Sequence, residues 1–282
     1  MYLVGLDVGT TGSKSVIFDE KGSIVGSHYE EYPLRQRKPG WSELDPHEVW
    51  RTIIKVMSES VKQAKIEASD SAALGVSALG TSTLPLDEKN EPLYPCIQAN
   101  DTRGREQLET ISEAVDTQDM EKRGLILYIF AGLPYVKIMW LRDNEPEVYR
   151  RANRMVNIEG YVYGKLCGEV VTDYSIASAY GIFNQLNRRW DSEAIDTVDI
   201  EGSLLPEALP SSTPLGEIDG EIAEKTSLPK DTQIFTGGHD LSCSSLGVGA
   251  VEENLLADIT GTYEFICSCL PQSYISKREH IK

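Results

Sequence analysis

The residues able to do chemistry in this chain gather in two short stretches far apart in sequence. Near the start, Asp7-Val8-Gly9-Thr10-Thr11-Gly12-Ser13-Lys14 separates two apolar runs of strand type, 2–6 and 15–18. Its glycines allow a sharp bend that turns successive N–H groups inward, making an anion-binding hollow to which the Thr10 and Thr11 hydroxyls add donors. A carboxylate beside such a hollow repels phosphate unless a divalent cation lies between them, so Asp7 reads as a Mg²⁺-organising residue, directly or through water. The same residues also satisfy a hairpin in which the glycines serve only the turn and Asp7 only caps it. Near the other end, Gly237-Gly238-His239-Asp240 follows the strand pattern 232–236. The glycines permit close approach and the strand fixes the carboxylate, which suits Asp240 to act on a substrate; alternatively it N-caps the small-residue helix 241–247. Gly261-Thr262, after the strand pattern 255–259, echoes Gly9-Thr10, and two such turns are what a bipartite phosphate clamp needs.

Candidate ligand contacts lie between these stretches. The strand pattern 73–79 ends in Gly80-Thr81-Ser82-Thr83, beyond a strand end, where open α/β sheets place ligands. Asn100-Asp101-Thr102-Arg103 follows the extended segment 92–97. An Asp-x-Arg pair there either offers acceptors and donors to a polyhydroxylated ligand or forms a helix-start salt bridge with Asp101 as the cap. The run from Thr172 to Ser178 is dense in hydroxyls and small residues, which suits close backbone approach to a ligand or local turn structure.

The elements that must position these groups are set by pattern. The opening predicts a three-stranded antiparallel meander, with Asp19-Glu20-Lys21-Gly22 as its second turn. Asp45-Pro46-His47-Glu48 predicts a helix start, and Val49, Trp50, Ile53, Met57, Val61 and Ala64 recur at helical spacing, with Trp50 in the core. Helices are expected at 134–144 and 146–152, a short amphipathic element from Asn157 closing at Gly168, and another helix from Trp190-Asp191. The Pro, Ser and Gly content of 202–230 reads as surface loops around one short helix, 218–226.

At 282 residues the chain can bury a sizeable core, enough for one large domain plus a fragment. A net charge of −17 disfavours nucleic acid or an anionic membrane as partner, without excluding a nucleotide met locally by backbone amides and metal. The five cysteines show no paired metal-ligand spacing, which fits reduced thiols and a cytoplasmic setting. Met1 leads straight into a strand pattern rather than a signal peptide, and no apolar run approaches membrane length.

The chain resembles the FGGY carbohydrate kinase family. The segment Gly132-Leu133-Pro134-Tyr135-Val136-Lys137-Ile138-Met139-Trp140-Leu141-Arg142-Asp143-Asn144 fits the family's first signature at every constrained position. Pro39-Gly40-Trp41 with Glu43 and Asp45-Pro46, Asn100-Asp101-x-Arg103, Thr172-Asp173-x-Ser175-x-Ala177-Ser178 and Gly238-His239-Asp240 come in family order and spacing. The resemblance implies an α/β, ribonuclease-H-like fold of the actin, Hsp70 and sugar kinase superfamily, a mixed sheet flanked by helices. It implies ATP and Mg²⁺ as cofactors and a small-molecule sugar or polyol as substrate. Asp240 resembles the general base and Asp7 the Mg²⁺-linked carboxylate. Gly9, Thr10, Thr11 and Lys14 belong to the first phosphate loop, and Gly261 and Thr262 to the start of the second. Thr81, Ser82, Asp101, Arg103 and Asp240 lie where the sugar is expected.

The departures bear on specificity. Members that phosphorylate xylulose usually carry Gln-Met-His-Gly where this chain has Leu79-Gly80-Thr81-Ser82, and the Arg-Glu pair of glycerol kinases is absent there too. Tyr263 after Gly261-Thr262 resembles the aromatic of fuculose-type kinases. Only the first half of the family pattern is covered, so residues 1–250 are expected to be the sugar-binding domain and 251–282 the start of an ATP-binding domain. The face meeting that domain would be exposed and apolar, and self-association through it, as a homodimer, is an expectation. Two other readings stand beside the kinase: a non-catalytic sugar-binding or regulatory member, and an actin- or Hsp70-like ATPase.

Overall fold

The computed structural model describes residues 1–67, 69–114, 117–125, 130–260 and 264–270. The elements that build the site are, in chain order, β1 (Tyr2–Val8), β2 (Gly12–Phe18), β3 (Ile24–Glu31), α1 (Pro46–Ala64), β4 (Ala72–Ala78), α2 (Pro134–Asn144), α3 (Ile158–Cys167), β5 (Val171–Asp173), α4 (Tyr174–Ser178), β6 (Pro214–Glu217), β7 (Gln233–His239), α5 (Asp240–Gly247), β8 (Leu256–Thr260) and β9 (Glu264–Ser268).

A six-stranded mixed sheet in the order β6-β7-β4-β1-β2-β3 is the frame. β1, β2 and β3 form the expected antiparallel meander, while β1, β4 and β7 run parallel. Alternation in β4, AALGVSA, buries Ala72, Leu74, Val76 and Ala78, and β1 likewise buries Val4, Leu6 and Val8. Helix α1 starts as its sequence predicts, with the Asp45 carboxylate accepting from the His47 and Glu48 N–H groups and Pro46 in the first turn. It ends at Lys65 in a left-handed conformation (φ 54°). Its buried stripe, Val49, Ile53, Val56, Met57 and Val61, covers the sheet, and Ser60 Oγ meets Ser15 Oγ of β2 at 2.7 Å. Trp50 is half-buried at the border of that core, edge-on to Tyr161.

The structure corrects several boundaries. The first turn is tighter than 7–14: β1 runs through Val8 and β2 begins at Gly12. Segment 202–230 is not only loop, because β6 forms the sheet edge, and its helix begins at Gly220. Gly237 and Gly238 are not a turn past a strand but part of β7 itself, so Asp240 opens α5 directly and His239 is the N-cap. The misreading is physical: glycine usually marks a strand's end, yet here it lets two strands touch. A Cβ on Gly237 would run into the Val76 carbonyl.

β8 and β9 pair with one another as a separate two-stranded sheet. Leu246, Val248, Val251, Leu256, Ile266 and Leu270 are all exposed at this end of the chain.

Candidate active site

The parallel register brings the two distant stretches to one rim. Asp7 pairs with Ser77, and Ser77 with Gly238, so the carboxyl ends of β1, β4 and β7 stop side by side. That is the edge at which open α/β sheets bind ligands. Ser77 Oγ donates to Asp7 Oδ1 at 2.9 Å. Burial holds the Asp7 carboxyl above its ordinary range; the Ser77 bond opposes this, the Asp240 charge adds to it, and Lys14 lowers it. Asp7 therefore feels the charge of Asp240 across the rim. The Asp240 side chain is 38% exposed and open to a ligand. His239 Nδ1 lies 2.7 Å from Asp240 Oδ1, and the Leu241 N–H donates to the same oxygen at 2.7 Å. The His239 ring rests on the backbone of Gly80, where any side chain would overlap it.

The turn at 9–11 is shaped by a residue that sequence reading passed over. Neither Gly9 nor Gly12 takes a left-handed φ. Instead the Tyr32 hydroxyl reaches Gly9 O at 2.5 Å and Gly12 O at 3.1 Å, the Tyr32 N–H donates to Thr11 O, and Gly9 N–H donates to Gly12 O at 3.0 Å. Thr10, Thr11 and Lys14 are left exposed beside Asp7. Gly261 and Thr262 lie outside the described residues.

The loop after β4 is pinned from three sides. The Asn157 amide donates to Leu79 O and Gly80 O, each at 2.9 Å. Ser82 Oγ accepts from the Ile158 N–H at 3.0 Å, so this fully buried hydroxyl is taken up at the start of α3 instead of facing a ligand. Lys137, wholly buried in α2, donates from Nζ to Thr81 O at 2.5 Å. Burial pulls its amine down to about 7, with Asp101 and Cys96 pulling the other way. A lone lysine on the otherwise apolar run 134–141 was the signal for it.

Asp101 and Arg103 form an ion pair, but with Asp101 engaged away from any helix start. Arg103 Nε and Nη2 hold the Asp101 oxygens at 2.8 and 2.7 Å, and Nη2 reaches Glu43 Oε1 at 2.7 Å. Asp101 also accepts from the Ser42 and Arg103 N–H groups. The guanidinium is 3.8 Å from the Trp41 ring centroid and 4.9 Å from that of Trp140. Both side chains are sealed, at 1% and 0% exposure, so in this structure they brace the wall rather than line an opening.

With this geometry in place, the family description "FGGY family of carbohydrate kinases, N-terminal domain" matches residues 2–247. The chain belongs to this family. This FGGY chain is 30% identical over 275 residues to a xylulose kinase of Lactococcus lactis, covering 96% of this chain and 54% of that one. It is 31% identical over 271 residues to a glycerol kinase of Thermococcus kodakarensis, covering 94% and 53%. A solved gluconate kinase from Lactobacillus acidophilus superposes with a TM-score of 0.86 at 28% identity, covering 94% of this chain and 53% of that one. The FGGY chain thus spans about half the length of the curated relatives it matches, and its fold is that of the actin- and Hsp70-like sugar kinases. Among the described residues no helix is long and apolar enough to cross a membrane.

Proposed function

We propose that this chain is the sugar-binding half of an ATP-dependent carbohydrate kinase, which moves the γ-phosphate of ATP to a hydroxyl of a sugar or polyol. The observation that carries the proposal is the common rim of β1, β4 and β7, where burial, with the Asp240 charge adding to it, raises the Asp7 carboxyl. Phosphoryl transfer asks for alignment and charge neutralisation, with a carboxylate to receive the acceptor's proton. Asp240 fills that last role: its bonds to described residues fall on Oδ1, leaving Oδ2 to take the proton as the hydroxyl oxygen attacks phosphorus and ADP leaves. Gly9, Thr10, Thr11 and Lys14 face the nucleotide phosphates, joined by Gly261 and Thr262. Thr81 contacts the sugar, with Ser82, Asp101 and Arg103 holding the wall behind it.

Asp7 fits a Mg²⁺ ion. A half-buried carboxylate pressed by a second acid is relieved by a divalent cation, and Mg²⁺ commonly takes one or two carboxylates with water and phosphate oxygens. The ion would supply charge neutralisation at the phosphates.

Residues 1–250 then form the sugar-binding domain and 251–282 begin the ATP-binding one, which would meet the first across the apolar surface around Leu246 and Val248. A protein of this kind works in the cytoplasm on a small molecule, with neither nucleic acid nor membrane as partner. If the apolar end is left uncovered, it is a surface for a homodimer.

The test is ATP consumption by the full-length protein against a panel of pentoses, hexoses, ketoses and polyols. Sugar-dependent ADP release is expected. Turnover without sugar would mark an actin- or Hsp70-like ATPase, and sugar binding without turnover a regulatory member; either overturns the proposal.

A further inference from the structure

Strand β7 carries an extra residue where it approaches Asp240. Its register against β4 shifts between Phe235 and Gly238, which face Gly75 and Ser77. A bulge of this kind bends the strand and re-aims the chain beyond it, here the acid that opens α5. Two backbone N–H groups at the bent end are taken by side chains from outside the sheet. Gly237 N–H donates to the Tyr163 hydroxyl at 2.7 Å, and His239 N–H to Ser175 Oγ at 2.8 Å.

Each hydroxyl passes its own proton on to an acid. Tyr163 donates to Glu159 Oε1 at 2.9 Å, and Ser175 to Asp173 Oδ1 at 2.5 Å. The two lines then join, because the Asp173 N–H and the Thr172 hydroxyl both donate to Glu159 Oε2 at 3.4 Å. An amide can only donate, so the direction of both lines is fixed from strand to acid. Glu159, Tyr163 and Asp173 are buried, and a satisfied buried polar network rigidifies the strand end it holds.

We infer that Tyr163 and Ser175 are positioning residues for Asp240, holding the bulged end of β7 by the N–H groups of Gly237 and His239. Glu159 and Asp173 act behind them as the acceptors that fix each hydroxyl. The inference rests on the reading of Asp240 as the base. Burial, helped by the Asp173 charge, raises the Glu159 carboxyl well above its ordinary range, while the bonds from Tyr163, the Asp173 N–H and Thr172 act against this.

The experiment uses the full-length protein with Tyr163→Phe and Ser175→Ala, reading steady-state kinetics and amide hydrogen exchange. Misplacing a base by a fraction of an ångström is expected to lower kcat about 10- to 100-fold in Tyr163→Phe and Ser175→Ala, with sugar KM within about threefold of the parent. Exchange should quicken at Gly237 in the first and at His239 in the second. Should Tyr163→Phe fold poorly, Ser175→Ala, at a half-buried position, decides alone. Quickened exchange with kcat within about twofold of the parent overturns the inference, as does unchanged exchange. A parent protein that phosphorylates no sugar overturns the kinase reading instead, and exchange at Gly237 and His239 then still shows whether these hydroxyls hold the strand end.

Discussion

Asp7 and Asp240, from opposite ends of the chain, repel one another across the ends of β1 and β7: the Asp240 charge adds to burial in lifting the Asp7 carboxyl above its ordinary range. Two acids held at one rim destabilise the unliganded protein and become useful when a cation and a phosphate arrive.

For Asp7→Asn the sign comes from linkage. A carboxyl raised above its unfolded value of 3.8 favours folding below that pH and loses the advantage as pH rises through the folded value. Asp7→Asn should therefore raise the melting temperature at pH 7 without nucleotide, and the gain should vanish below pH of about 4. In the full-length protein the same variant should raise the Mg²⁺ concentration needed for half-maximal rate; an unchanged metal titration would count against the role given to Asp7.

Lys137 makes the opposite kind of prediction. Its amine is pulled from 10.5 to about 7, so the unfolded chain binds more protons between these values and stability rises with pH across that window. Lys137→Met should flatten this rise, gaining on the parent at pH 6 and losing the gain by pH 10. It also frees Thr81 O, so sugar KM should rise even where the fold is steadier. Parallel urea titrations at the two pH values measure the first effect.

Arg103 is braced between Trp41 and Trp140 and bonded to Asp101 and Glu43. Removing it in Arg103→Met leaves the buried Asp101 carboxylate without its cation, while Glu43 keeps Arg37, and should cost about 3–5 kcal/mol in urea unfolding. Arg103→Lys should recover little, because an ammonium cannot span both acids and stack on indole. If Arg103 instead contacted sugar directly, Arg103→Lys would leave stability intact and raise KM alone.

Gly237→Ala places a methyl group against the Val76 backbone, which cannot step aside as a side chain can. A loss of about 1–3 kcal/mol is expected. Turnover should fall with it, because the displaced segment carries Asp240; a variant as stable and fast as the parent would show that β7 tolerates another path.

Much of the fold was legible in the sequence. The meander, the Asp45 cap and the helix at 134–144 are read from local pattern, since each is decided by neighbours in the chain; the element expected to be amphipathic after Asn157 is a helix, 158–167, buried on most of its faces. The spaced motifs also proved to be one place: Trp41, Glu43, Asp101, Arg103 and Trp140 make a single buried cluster. Illegible were the partners, because Tyr32 under the first turn, Ser77 beside Asp7 and Tyr163 behind Gly237 are chosen by strand order and register, which no local pattern states. The two glycines of β7 misled for a related reason: the neighbour that requires Gly237 to lack a side chain, Val76, belongs to another strand.

The most direct measurement is the turnover of Asp240→Asn in the full-length protein with whichever sugar the panel identifies. The account predicts a kcat lowered by roughly two to four orders of magnitude, with sugar binding close to the parent's and a melting temperature no lower than the parent's. A rate within about tenfold of the parent would take Asp240 out of the base's role and contradict the account.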